Sequence, residues 1–403
     1  MASFLDVCKF NPTAGGTTDW TVSSAVTGYQ TPAGAGATNN GTYRYRAESS
    51  DLTQWEIGYG VYTTAGTVLT RATVLFNSAG TTAKINFSSA PQVSVVALAE
   101  DLVFINPPQG RLTLQTATPV MTTTQSAKTT IFYTPYVGNQ VPIYDGVSFR
   151  NVAFAELSVA TTDTTKSPAA IGASKVNDWF VWDDAGTTRI GHGPDWTSDS
   201  ARSAGTALVM VNGVLLNNAS ITNGPAASRG TYVGTTRSNG SSQLDWIFGA
   251  AASGGTAAFL GVWNTYNRVI IGTSVTDNGV SYTYSSATVR QARASGGNQI
   301  TYLSGLAEDG FVYSYATRIT TTATASSFSF VGIGLNSATT FVVPSLSVVT
   351  TSTTAVDSMA SSSGTLGPLL GVQIVSANEQ GDATHANTMN VNTAATLTGM
   401  FRM

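Results

Sequence analysis

The chain has 403 residues, of which 42% are hydrophobic and only 10% charged, with 19 basic against 22 acidic side chains and a net charge of -3. That length has room for about two to four domains, and so small a charge imbalance offers no grip on a polyphosphate backbone, so no nucleic-acid partner is expected. The single cysteine, Cys8, excludes a disulfide framework and a thiolate metal cluster; the opening MASFLDVCKF has no basic segment leading into an apolar run, and no stretch of about 18 apolar residues occurs later, so neither a leader nor a membrane span is expected.

With 40 glycines and abundant Thr, Ser, Ala and Asn, the sequence reads as short strands separated by turns, without an apolar stripe of period 3.6. Threonine fits, because its branched Cβ suits a strand and its hydroxyl tolerates water. In TQWEIGYGVYT, Trp55, Ile57, Tyr59 and Val61 fall at period two and share one face of a strand. TAGT, VLTRATVLF, NSAGTT, KINF and SVVALAE then continue a four-strand meander whose aromatic face residues 10–49 are expected to cover. This N-terminal β module spans 1–100.

INPPQG is a proline turn, and RLTLQTATPV with KTTIFYTPYV makes a linking β segment over 101–140. From Val141 the strands become aromatic-rich: VPIYDGVSF, then DWFVWDDAGTTRIGHGPDW, with DDAG as the turn of a hairpin and Trp179, Phe180, Trp182 and Trp196 as anchors. This central β domain runs over 141–250. AAFLGVWNTYNRVIIG, VSYTYSS, QITYLSG, GFVYSYATRIT, SFSFVGIGL and the strands up to TGMFRM form a C-terminal β-sandwich domain, 251–403. The fold class is therefore all-β and multidomain: a small N-terminal β module followed by β-sandwich or jelly-roll-like domains.

Few residues suit catalysis. Asp183 and Asp184 are adjacent, so on a strand they point to opposite faces rather than across a cleft of about 5–9 Å, and Asp-Ala-Gly is hairpin chemistry. Glu308 and Asp309 read as a polar turn. His192 lies near Asp195, but no serine stands in a nucleophile elbow, and His385 is expected at the surface. No enzyme, metal or cofactor is expected. GVWNTYNRV groups Trp263, Asn264, Tyr266 and Asn267, rings beside amides, which suits either stacking on a ligand such as a sugar or packing in a core or between subunits. Tyr302, Tyr313 and Tyr315 carry the same ambiguity.

WEIGYGVYTTAGTVLTRATVLFNSAGTTAKINFS, residues 55–88, resembles a small β module recurrent in virion proteins of tailed bacteriophages, notably fibres, appendages and spikes. Trp55, Glu56, Gly58, Gly60, Tyr62, Leu69, Arg71, Ser78, Asn86 and Phe87 match it. PIYDGVSF, ITNGPAASRGTYVGTTRS, VWNTYNRVIIG and GLAEDG are similar to the segment C-terminal to the module in such proteins. The resemblance implies a structural virion component and transfers no catalytic residue. It implies a homotrimeric tail fibre or spike contacting the host surface, attached to the particle through residues 1–100; the alternative is a capsid decoration, head fibre or neck/tail adaptor without receptor binding. The implied partners are further copies of the chain, other virion proteins of tail, neck or capsid, and, for a fibre, a host surface glycan. A glycan-degrading β-helix is disfavoured, because no run of similar coils is present.

Overall fold

The computed structural model describes residues 4–102, 105–146, 148–324, 326–342, 347–349, 353–391 and 395–403. The protein is all-β and divides into two compact units, residues 1–104 and 105–403.

In the first unit, six strands close into a barrel by antiparallel pairing in the order Lys9–Pro12, Trp20–Ala25, Val68–Leu69, Trp55–Thr63, Gly41–Glu48 and Gln92–Ser94, which returns to Lys9–Pro12. Thr73–Asn77 pairs with Trp55–Thr63 beside Val68–Leu69. The order is thus not the expected meander, and KINF supplies only a bridge from Phe87 to Gly16. The inward face is also the opposite of the one expected to need cover. Along Trp55–Thr63 the buried residues are Glu56, Gly58, Gly60 and Tyr62, whereas Trp55, Ile57, Tyr59 and Val61 are half-buried outside. The barrel interior is already filled by Trp20 and Tyr45, packed edge to face at 4.6 Å. A Cβ at Gly58 would lie 2.5 Å from Tyr45 Oη, and one at Gly60 1.6 Å from the Thr70 carbonyl oxygen, so these two inward positions admit no side chain.

In the second unit, the expected limits at 140 and 250 do not separate cores. One apolar core runs from Leu112 to Met403, and Gln125–Lys128 pairs with Leu244–Ile247, which pairs with Ala258–Leu260. Ala258–Leu260 continues, in parallel, onto Gln299–Ser304. Cutting the chain at 140 or 250 would divide that sheet. The sheet extends through Gly371–Gly381 and Phe328–Leu335, and a second one contains Ile270–Asp277, Ala395–Arg402, Phe311–Thr320 and Asp357–Leu366. The two pack as a sandwich: Tyr302 of the first touches Phe311 and Phe401 of the second, with ring centroids 4.9 and 4.4 Å apart.

A further sheet is built on the hairpin Val176–Asp184 and Thr187–Asp195. Its turn is Ala185–Gly186, with φ of 48° and 91°, the left-handed pair that a two-residue hairpin needs. Among the described residues no helix is long and apolar enough to cross a membrane.

Candidate functional site

The residues grouped by the sequence, Trp263, Asn264, Tyr266 and Asn267, lie together but serve the fold. The chain leaves one sheet after Leu260 and enters another at Val262–Asn264, which pairs with Thr231–Arg237. Trp263 is 1% exposed and Asn264 2%, so neither offers a surface to a sugar ring. Asn264 Oδ1 accepts the Leu112 N–H at 2.6 Å and its Nδ2 donates to the Leu112 carbonyl at 3.4 Å, which mimics one rung of a strand ladder. Asn267 adopts a φ of 57° and donates to the carbonyls of Pro108 and Gly110 at 2.8 and 3.2 Å. Half-buried Tyr266 accepts the Leu215 N–H at 3.3 Å, and burial pushes its phenol up.

Two neighbouring arginines complete this junction. Arg268 lies over the Trp263 ring at 5.1 Å and pairs with Glu308 and Asp309 at 2.9 and 3.1 Å, so GLAEDG is fastened to VWNTYNRV. Arg111 is buried and donates to the carbonyls of Pro119, Asn267 and Met403. Burial brings its pKa down to about 10. The arrangement holds four chain segments in register. It presents hydrogen-bond donors and acceptors that are already used within the fold.

The other candidates are also structural. Asp183 pairs with Arg150 at 2.6 Å and Asp184 with Arg189 at 3.4 Å, flanking the hairpin turn. His192 is buried, its Nδ1 donates to the Gly193 carbonyl at 2.7 Å, and its ring meets Trp179 edge-on at 5.3 Å. Burial lowers the imidazole pKa. Asp195 instead accepts from Asn177 Nδ2 at 2.9 Å. His385 is half-buried rather than exposed, with Nδ1 2.6 Å from Asp382 Oδ2. Burial pushes the Asp382 carboxyl up, but hydrogen bonds from His385, Thr384 and Phe328 outweigh it and hold the group well below the usual carboxylate range. Tyr302, Tyr313 and Tyr315 are core residues. Among the described residues no group of three or more His, Cys, Asp or Glu is placed to hold a metal.

Two arrangements are not apparent from the sequence, although residues of the first carry the resemblance. The first is a buried ion pair in the barrel. Arg71 Nε donates to Glu56 Oε1 at 2.9 Å and its Nη2 contacts Oε2; neither side chain has any exposure. Glu56 also accepts from Tyr45 Oη at 2.8 Å and the Ile85 N–H at 2.7 Å, while Arg71 donates to the carbonyls of Gly16 and Ile85 and lies between the rings of Trp20 and Phe87. The signal was available: Glu56 stands on the glycine-bearing face of its strand. The second is the outward face of the sheet holding Phe311–Thr320, where Val312 and Met400 are exposed among small residues. Strict alternation in FVYSYATRIT was its signal.

No family model matches the chain, and no curated protein matches it. Among solved structures it is similar to infectious bursal disease virus Gx strain, at 10% identity over 100% of this chain and 74% of that one with a TM-score of 0.20. It is also similar to a tryptic core variant of Cry1Da from Bacillus thuringiensis, at 9% identity over 70% and 50% with a TM-score of 0.17. A third similarity is to an exo-β-1,3-galactanase of Phanerochaete chrysosporium, at 10% identity over 91% and 83% with a TM-score of 0.13. Likenesses this remote carry no argument about the site.

Proposed function

We propose that the chain is a structural component of a tailed-phage virion, assembled as a homotrimer into a fibre or spike that contacts a glycan of the host surface. The observation that carries this reading is where the residues of the resemblance fall. Glu56, Gly58, Gly60, Tyr62, Leu69, Arg71 and Phe87 all turn into the barrel of the first unit. Trp55, Ser78 and Asn86 lie outside it, so most but not all of the matched positions are those that a self-contained folding module requires, as expected for a unit reused in front of different sequences.

A second reading, a capsid decoration, head fibre or neck/tail adaptor, is supported by the burial of Trp263 and Asn264. That burial removes the stacking platform the sequence offered to a sugar. Particles assembled without the chain separate the two. Loss of adsorption to host cells with heads and tails intact supports the fibre or spike. Unchanged adsorption with heads or necks that fail on mild heating supports the decoration or adaptor. Purified wild-type particles that contain no copy of the chain overturn both.

A further inference from the structure

In the second unit four strands lie side by side in the order Ile270–Asp277, Ala395–Arg402, Phe311–Thr320 and Asp357–Leu366, all antiparallel. Alternation sends Val275, Leu397, Tyr313 and Ala360 into the core and their neighbours outward. The registers align the outward residues in rows across the sheet. One row is Gly272, Met400, Val312 and Thr365; the next is Ser274, Thr398, Ser314 and Ser363. Exposures of 70% for Ile270, 53% for Met359, 50% for Met400 and 42% for Val312 show that no part of the described fold covers this face.

We infer that this face is where a second copy of the chain docks. The inference rests on the self-assembly in the proposed function and assigns a surface to it. Charge is the first argument. The charged outward groups stand at the ends of the strands and are paired, Arg402 with Asp309 at 3.5 Å and Arg318 with Asp357, so identical faces can meet without like-charge repulsion. Relief is the second. Met400 and Val312 make a ridge, and about 7 Å along the strands the row through Thr398 and Ser314 makes a trough. A surface that carries both ridge and trough can receive its own copy, each ridge lying over the other's small residues.

Size and edge complete the case. Four strands of about eight residues cover about 19 by 27 Å, roughly 500 Å² in projection and more in accessible area, against about 800 Å² per partner in a standard interface. Beside the face, Asp357–Leu366 pairs along all ten residues with Phe311–Thr320, and among the described residues its other edge joins no strand. It carries neither lysine nor proline, the usual protections of an open edge, and a docked copy would cover it.

The full chain is purified and its mass measured by light scattering during size exclusion, for the wild type and for Thr398→Glu, which adds charge at the centre of the face without touching the core. The result expected is a multiple of 41.7 kDa for the wild type and 41.7 kDa for the variant, with its near-ultraviolet circular dichroism unchanged. A second measurement uses thiol labelling. Cys8 is buried and its thiol is pushed up to about 11, so Ser314→Cys supplies the reactive cysteine, with Thr187→Cys at the exposed hairpin tip as reference. Maleimide should label position 314 at least about tenfold more slowly than 187 in the assembled protein, and that gap should narrow once Thr398→Glu separates the copies. A wild-type multimer that Thr398→Glu leaves intact, with 314 labelling as fast as 187, overturns this surface and leaves self-assembly standing. A wild-type mass of 41.7 kDa at micromolar concentration overturns the surface and self-assembly together, whereas the place in the particle is judged separately by the depletion experiment.

Discussion

The two units bury charge in different ways. In the barrel both members of the Arg71–Glu56 pair are withdrawn completely from water. In the second unit Asp178, Asp277 and Glu379 are buried just as deeply, but the arginines that meet them, Arg202, Arg293 and Arg290, keep 13%, 20% and 31% of their side chains exposed. An arginine on an open sheet or loop can lay its stem along the protein and keep its head near solvent. A closed barrel leaves it no such route, so every partner must come from inside: Tyr45, the backbone at Gly16 and Ile85, and the faces of two rings. Such a network adds little net stability over an apolar filling, but losing one member leaves the other as an uncompensated buried charge. The small unit therefore closes its ion pair off from water entirely, whereas in the large unit these three carboxylates meet arginines that reach solvent, and the buried Arg111 is met by backbone oxygens instead.

The largest expected effect breaks that contrast at its sharpest point. Arg71→Met should cost about 3–5 kcal/mol in urea unfolding of the first unit, and adding Glu56→Met should recover much of it, because the double change removes both charges. A double variant no more stable than Arg71→Met would show that packing, not the orphaned carboxylate, sets the cost. Trp263→Ala should cost a similar amount, about 3–5 kcal/mol, in the second unit, with no single partner whose replacement restores it. Gly60→Ala should cost about 1–3 kcal/mol by forcing apart Trp55–Thr63 and the Thr70 backbone, while the second unit unfolds as before.

The smallest effect is a pH slope. Burial holds the His192 imidazole below its ordinary 6.5 in the folded protein, so the unfolded chain takes up the proton first as pH falls. The stability this neutral histidine confers is complete above about 6.5 and is lost progressively below it, down to the folded value. Unfolding midpoints of the second unit measured from pH 7 to 5 should fall, and His192→Gln should flatten that part of the slope.

The all-β class and the hairpin at Asp183–Gly186 were legible, because period-two alternation and Asp-Ala-Gly are local signals. Period two also places Trp55, Ile57, Tyr59 and Val61 on one face, but it does not say which face is inward. Large apolar residues invite the inward choice, and closure of the barrel reversed it by requiring Gly58 against Tyr45 and Gly60 against the Thr70 backbone. At the Trp263 cluster the sequence left a ligand surface and a packed core both open. Its amides look available in the local sequence, whereas their partners at Pro108, Gly110 and Leu112 lie about 150 residues earlier in the chain and are invisible to any short window. The limits at 140 and 250 were drawn from local turns, whereas the pairing of Gln125–Lys128 with Leu244–Ile247 crosses the first and that of Leu244–Ile247 with Ala258–Leu260 crosses the second.

The chain is proposed to be a building element of a virion. A density map of the purified particle, at a resolution that separates strands, tests it most directly. The density expected is one into which the barrel of residues 1–104 and the sandwich of 105–403 both fit, repeated as copies whose Met400 and Val312 faces meet. A complete particle map with no density that fits either unit would contradict it.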